Sequence, residues 1–110
     1  MKVVITEQDF MGQVIELAHI FHWLCVHFRS VHIQRSNGST YYQTPVQADG
    51  EGFPDLILLR DKTILAVELK SEKGKVRQTQ KEWLEKLARA GIPTYIWRPS
   101  DFDDIVKILR

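Results

Sequence analysis

The apolar positions of this chain follow two patterns, one with the period of an α-helix and one with the length of a buried strand. After Thr6, an N-cap residue type, apolar side chains recur at helical spacing as far as Phe21, which predicts a helix that packs on a sheet. The runs 56–59 and 64–67 are short and continuously apolar, as in strands that are covered on both faces. Residues 23–28 predict a further strand at the start of the sheet.

The second half of the chain adds two helices and a last strand. The pattern over 76–90 predicts a helix, which Gly91 and Pro93 then end. Residues 93–97 predict a short strand, and Ser100 with an acid three positions later predicts a capping box that opens a final helix. The buried side of the 76–90 helix is predicted to consist of Val76, Trp83, Leu84, Leu87 and Ala88.

The two central runs are predicted to pair as a hairpin around a turn at 61–62. With Arg60 opposite Thr63, the register places Asp55 opposite Glu68. Two carboxylates then face each other across neighbouring strands, which is unfavourable without a cation because like charges in direct opposition destabilise a strand pair.

Lys70 shares a strand face with Glu68, since side chains two apart on a strand point the same way. Two carboxylates and an ammonium group are therefore expected in one patch. A divalent metal bound by Asp55 and Glu68, with Lys70 beside it, is the simplest arrangement that removes the repulsion.

At these residues the chain resembles a known family. Pro54-Asp55 followed by Glu68-Leu69-Lys70 resembles the PD-(D/E)XK signature of metal-dependent nucleases. The wording of the first motif, Gly-Phe-Pro-Asp over 52–55, together with Gln80, further resembles the VRR-NUC subgroup, which includes small stand-alone phage and bacterial proteins. The resemblance covers about residues 6–110 and is weakest over 29–51.

The resemblance implies an α/β fold with a restriction-endonuclease-like αβββαβ core, in which helices flank a small mixed sheet. It implies a metal-dependent DNA endonuclease that hydrolyses phosphodiester bonds, selects branched DNA or four-way junctions, and works as a homodimer. The expected catalytic residues are Asp55, Glu68, Lys70 and Gln80, and the expected ligands of Mg²⁺ or Mn²⁺ are Glu7, Asp55, Glu68 and the backbone carbonyl of Leu69.

Two other classes of protein stay open on the sequence. The chain can be a nuclease-like DNA-binding module that no longer cleaves, although an intact Asp55, Glu68 and Lys70 argue against that. It can also be an α/β module with no nucleic-acid partner, whose carboxylates converge by chance.

Glu7 and Gln80 are polar residues on apolar helical stripes, and each has two interpretations. Glu7 is either a charge that is favourable near a helix N-terminus or a third acidic group aimed at the metal. Gln80 bonds either a nearby backbone group or the active site, where it would orient Lys70 or the attacking water. The family resemblance favours the active-site interpretation of both residues.

Several basic residues are candidates for contact with DNA phosphates. They are Arg29, Arg35, Lys73, Lys75 and Arg77. Within the poorly matching segment 29–51, a turn signal at 36–39 predicts a hairpin between 31–33 and 40–42. This segment suits DNA contact, a dimer contact or a mobile loop about equally.

Composition limits the remaining choices. The 110 residues are expected to form one domain over 1–110, and the net charge of +1 means that any surface for nucleic acid must be local. The single cysteine, Cys25, fits a reducing compartment, and no apolar run approaches a membrane span, so we expect a cytoplasmic protein with no membrane partner. The resemblance implies that the cell is a bacterium or a phage-infected host. Ile20 and Trp23 are candidate apolar residues for a dimer contact.

Overall fold

A computed structural model of the chain describes residues 4–28, 31–43 and 48–110. Its elements alternate between helices and strands and confirm the predicted α/β class. In chain order they are α1 (Glu7–Ile20), β1 (Leu24–His27), β2 (Val31–Gln34), β3 (Thr40–Gln43), β4 (Leu56–Arg60), β5 (Thr63–Leu69), α2 (Gln78–Arg89), β6 (Thr94–Trp97), a 3₁₀ turn (Pro99–Asp101) and α3 (Phe102–Leu109).

The main sheet has four strands in the order β1-β4-β5-β6. β1, β4 and β5 are antiparallel neighbours, whereas β6 joins β5 in parallel, so the sheet is mixed as predicted. Arg60 pairs with Thr63 and Leu56 with Val67, which confirms the predicted hairpin register. β2 and β3 form the predicted hairpin as a separate two-stranded sheet. In chain order this hairpin falls between β1 and β4. The arrangement is compatible with a restriction-endonuclease-like core.

The hydrophobic core lies on one face of the sheet, under α1 and α3. Inward-facing residues alternate along β4 and β5 and meet one side of each helix. Cys25 packs at the edge of this core, and burial raises the pKa of its thiol. The buried members are Phe10, Val14, Ala18, Trp23, Leu56, Leu58, Leu65, Val67, Leu69, Trp97, Ile105 and Leu109.

α2 lies on the opposite face and covers only the β5–β6 half of the sheet. Its buried side chains are Gln80 and Leu84. The prediction of a longer buried stripe on this helix is wrong in part, because Ala88 is exposed and Trp83 is only half-buried. A single helix cannot cover four strands, so apolar side chains of β1, β4 and the start of β5 stay exposed on this face. We call them the apolar strip: Leu24, Val26, Leu59 and Ile64.

The start of the chain's first helix matches the prediction, and the start of its last helix does not. The Thr6 hydroxyl accepts from the Asp9 N–H at 3.0 Å, as an N-cap should. Ser100 does not cap α3, because its N–H and hydroxyl both donate to the Glu72 carboxylate. A 3₁₀ turn stands where the capping box was predicted, and α3 begins only at Phe102.

Trp23 is not on the surface, which corrects the predicted dimer contact at this residue. Only 3% of Trp23 is exposed, and its indole N–H donates to the Leu109 carbonyl at 2.9 Å. The Arg60 guanidinium lies 4.3 Å from the indole centroid and donates to the Phe21 carbonyl at 3.0 Å and to the Leu109 carbonyl at 2.8 Å. Ile20 stays exposed. None of the helices in the described ranges is long and apolar enough to span a membrane.

We expect Gly52→Ala to destabilise the protein much more than Gly91→Ala. Both glycines have positive φ, +83° and +93°, so alanine costs about 1–2 kcal/mol of backbone strain at either position. At Gly52 an added Cβ would also lie 2.8 Å from the backbone and side chain of Thr79, whereas at Gly91 it would meet nothing within 4 Å. This clash adds roughly 1–3 kcal/mol. Urea denaturation of both variants measures the difference, and equal losses would show that α2 gives way to the added group.

Candidate active site

Asp55 lies at the end of the β4–β5 ladder, directly before the first paired residue of β4. Its backbone carbonyl accepts from the Phe28 N–H at 3.2 Å, so the chain is still extended against β1. Its Oδ2 accepts from the Leu69 N–H at 2.8 Å. The carboxylate is therefore fixed between the ends of two strands, in the position opposite Glu68 that the register predicts.

Glu68 is a buried acid that α2 covers. It is 1% exposed, and Gln80, which is 6% exposed, donates its side-chain N–H to Glu68 Oε1 at 3.1 Å. The other end of the Gln80 amide accepts from the Arg77 backbone N–H at 2.9 Å. Gln80 thus makes both of the contacts that were predicted as alternatives, a local backbone bond and a bond into the carboxylate cluster. Its partner there is Glu68.

The second oxygen of Glu68 has no donor. Oε2 is buried without a hydrogen-bond partner among the described residues, and Asp55 lies close to the Glu68 carboxyl group. Burial, with a hydrogen bond to Asp55 and the charge of Asp55 adding to it, raises the pKa of Glu68 to about 9. Two opposed carboxylates have no donor between them, so a proton on Glu68, a bound cation or a water must satisfy this oxygen.

Lys70 and Glu7 complete the cluster electrostatically. Lys70 lowers the pKa of both Glu68 and Glu7, which shows that its ammonium group is near both acids. Partial burial of its carboxyl group raises the pKa of Glu7, and Asp55 raises it further. Glu7 as a residue is nevertheless exposed, in contrast to the predicted position on the buried stripe of α1. It belongs to the rim of the cluster.

The residues present suit an oxygen-binding cation. Within residues 4–28, 31–43 and 48–110, no three His, Cys, Asp or Glu side chains stand close enough together to form a complete metal site. Asp55 and Glu68 nevertheless offer two carboxylates and one orphaned buried oxygen, which is the donor chemistry that Mg²⁺ and Mn²⁺ prefer. A cation here needs further oxygen ligands from Glu7, from backbone or from water and DNA.

The segment that follows Lys70 is tied to the end of β6 by Arg98. The guanidinium Nη1 of Arg98 donates to three backbone carbonyls, those of Ser71, Glu72 and Gly74. The Glu72 carboxylate in turn accepts from Ser100. The sequence indicated none of these contacts, because the partners of Arg98 are backbone atoms more than twenty residues away.

The segment that leads into Asp55 is anchored by Trp83. The indole N–H of Trp83 donates to the carbonyls of Asp49 and Glu51, at 3.2 and 3.0 Å. The Trp83 ring meets Phe53 edge-on at 5.1 Å, and Phe53 meets Phe28 at 5.5 Å. The helical pattern predicted Trp83 only as a core residue and gave no sign of this anchoring role.

The basic residues predicted to meet DNA are placed unevenly. Lys73, Lys75 and Arg77 are exposed on the segment between Lys70 and α2. Arg35 is exposed beside the turn of the β2–β3 hairpin. Arg29 lies outside the described residues.

The mixed sheet with carboxylates at its end defines an α/β protein that is compatible with a restriction-endonuclease-like core. The model of the VRR-NUC domain family matches residues 32–100, and the chain belongs to this family. Neither the curated proteins nor the solved structures gave a significant match. Family membership implies a nuclease, for which DNA is the partner.

We expect Glu68→Gln to stabilise the metal-free protein at pH 8 but not at pH 5. Folded Glu68 holds its proton up to about pH 9, whereas the unfolded chain loses it near the ordinary value of 4.5. Between these values the unfolded state binds fewer protons, so the free energy of unfolding falls as the pH rises. Glutamine is neutral throughout, accepts from Gln80 and offers Asp55 a donor. The gain at pH 8 should be about 1–3 kcal/mol.

Urea denaturation in EDTA at the two pH values measures this gain. Glu16→Gln, an exposed glutamate on α1, is the matched control and should show no such pH-dependent gain. A gain for Glu68→Gln that is the same at pH 5 and pH 8 would show that Glu68 is ionised in the folded protein at both.

Proposed function

We propose that the protein is a divalent-metal-dependent DNA endonuclease that hydrolyses phosphodiester bonds at the Asp55–Glu68 cluster. The observation that carries this proposal is the pair of opposed carboxylates with one orphaned, buried oxygen, next to a lysine. A protein that only binds DNA has no use for two acids aimed at each other, because once both are ionised they repel one another and a phosphate. A cation reverses that effect.

Each residue of the cluster has a distinct part. Asp55 and Glu68, with Glu7 and the Leu69 carbonyl, would hold Mg²⁺ or Mn²⁺, which supplies charge neutralisation at the phosphate and activation of water. Gln80 fixes the rotamer of Glu68 through its amide. Lys70 stabilises the charge that develops on the phosphate oxygens in the transition state.

The exposed lysines after Lys70 suit the DNA backbone. Lys73 and Lys75 stand on the segment that leaves the active site, where they would bind phosphates on either side of the scissile bond. Arg77 would extend this basic surface, and Arg35 and Arg29 stay candidates for DNA contact from the sequence. The overall charge of +1 makes such a local surface the main source of DNA affinity.

We further propose that the protein acts as a homodimer on branched DNA. Cutting two strands at a junction takes two active sites related by a two-fold axis. β1 is an edge strand of the main sheet, and two members of the apolar strip, Leu24 and Val26, lie on it. The members of the strip are 37–69% exposed. A second copy that pairs its own β1 in antiparallel fashion would cover the edge and place the two apolar strips side by side on one face of a continuous sheet.

The function is tested with supercoiled plasmid, a four-way junction and a linear duplex of the same sequence. We expect cleavage in Mg²⁺ or Mn²⁺, none in EDTA, and the fastest cleavage on the junction. Asp55→Asn should slow cleavage at least about a hundredfold, because an amide binds the cation poorly and several kcal/mol of charge stabilisation are lost. Asp55→Asn should also lose the rise in melting temperature that Mn²⁺ gives the wild type.

Asp61→Asn is the matched control for Asp55→Asn. Asp61 lies in the turn at the other end of the same hairpin, and asparagine tolerates its positive φ of 53°. This variant should cut at the wild-type rate. Binding of DNA without cleavage in either metal would instead identify the nuclease-like DNA-binding module.

The proposed dimer is tested by adding charge to the apolar strip. Val26→Glu, at a position that is 52% exposed on the edge strand, should shift the mass measured by light scattering from dimer to monomer. Ile20→Glu, on α1 and 61% exposed, is the control and should leave the dimer intact. A monomer with Ile20→Glu and a dimer with Val26→Glu would place the contact on α1.

A further inference from the structure

Arg98 holds a backbone turn next to the active site although it is itself half-buried and remote from the carboxylates in sequence. Its Nη1 donates to the carbonyl of Ser71 at 2.6 Å, to that of Gly74 at 2.7 Å and to that of Glu72 at 3.2 Å. Three carbonyls that converge on one charged nitrogen fix the conformation of the segment 71–74, because bonds from a charged donor are stronger than neutral ones.

This turn lies close to the side chain of Lys70. The Gly74 N–H donates to the Ser71 carbonyl at 3.1 Å, which closes the turn. A Cβ on Gly74 would lie 2.9 Å from Ser71 Oγ and 3.5 Å from Lys70 Cδ. The Gly74 backbone therefore lies close to the aliphatic stem of Lys70, and any larger residue at 74 would have to displace the Ser71 hydroxyl.

Further hydrogen bonds connect the turn, Arg98 and Lys70 to the end of β6 and to the 3₁₀ turn that follows it. The Glu72 carboxylate accepts from the Ser100 hydroxyl at 3.0 Å and from the Ser100 N–H. The backbone N–H of Arg98 donates to Asp101 Oδ2 at 2.8 Å, which fixes the residue that carries the guanidinium. The Lys70 N–H donates to the Trp97 carbonyl at 3.0 Å, so the backbone of Lys70 is held by β6 as well.

We propose that Arg98 is a positioning residue for Lys70: through the turn 71–74 it holds the Lys70 side chain toward the carboxylate cluster. Only the role of Lys70 in the transition state rests on the proposed nuclease function. A lysine side chain has a flexible four-carbon stem, so its ammonium group is useful in a transition state only if the stem is held in place. Removing Arg98 frees the turn and with it the stem.

The kinetic test compares Arg98→Ala with Arg60→Ala. Arg60 is a matched control because it is also half-buried and also donates to backbone carbonyls. Arg60→Ala removes the same charge as Arg98→Ala, but Arg60 lies at the opposite end of the β4–β5 hairpin. With DNA and metal saturating, Arg98→Ala should lower the single-turnover rate by at least about tenfold. Its DNA affinity should stay within about threefold of the wild type, since an interaction that acts in the transition state contributes little to binding. Arg60→Ala should keep the rate.

A double-mutant cycle shows whether Arg98 acts through Lys70. If it does, Arg98→Ala adds little to the loss already caused by Lys70→Ala. Equal slowing by Arg98→Ala in both backgrounds would overturn the proposal. Glu72→Ala removes the exposed tether to Ser100, and it should slow cleavage in the same direction by a smaller factor, so the test does not depend on the folding of Arg98→Ala.

An NMR measurement separates this proposal from the proposed function. The ¹³Cε–Hε signal of Lys70, assigned with Lys70→Arg in the metal-free protein, should move toward the position of a free lysine in Arg98→Ala and stay in place in Arg60→Ala. If the wild type does not cleave DNA, the nuclease proposal fails while this measurement still decides whether Arg98 holds Lys70. An unchanged Lys70 signal in folded Arg98→Ala would overturn the positioning proposal even in an active nuclease.

Discussion

The opposition of Asp55 and Glu68 across two buried strands is the constraint on which the site depends. The strand register brings the two acids together, and the Leu69 N–H then fixes Asp55 at 2.8 Å. A shift of one residue would turn Glu68 into the core under α1 and α3, where the buried side chains of the described residues are apolar. The same apolar runs that make the sheet stable thus determine which side chains meet at its end.

This arrangement makes a proton and a cation competitors for the same oxygen. Burial and Asp55 raise the pKa of Glu68 to about 9, so in the metal-free protein at neutral pH the acid holds a proton. A cation at this site would have to release that proton before it could bind, so its affinity would rise with pH. The Gln80 amide donates to the other oxygen of Glu68 at 3.1 Å and keeps the carboxyl group oriented for either occupant.

The sequence could predict the sheet, the register and the cluster because each depends on side-chain periodicity or on residues that are close in the chain. It predicted the Thr6 cap and the hairpin at 36–39 for the same reason. It failed where tertiary contacts compete with local signals. Ser100 has the spacing of a helix cap, but the Glu72 carboxylate takes its donors. Trp23 was predicted as a surface residue, yet its indole N–H donates to the carbonyl of Leu109, eighty-six residues away.

The parts of the site that the sequence could not show share one physical feature: side chains that bind backbone carbonyls. Trp83 holds the segment before Asp55 in this way, and Arg98 holds the segment after Lys70. Every residue has a backbone carbonyl, so the sequence does not show which carbonyl a side chain will bind. The strands position Asp55 and Glu68 through their own ladder, but Lys70 is the residue at which β5 has ended. Its side chain therefore needs support from outside the sheet, and the turn held by Arg98 lies close to it.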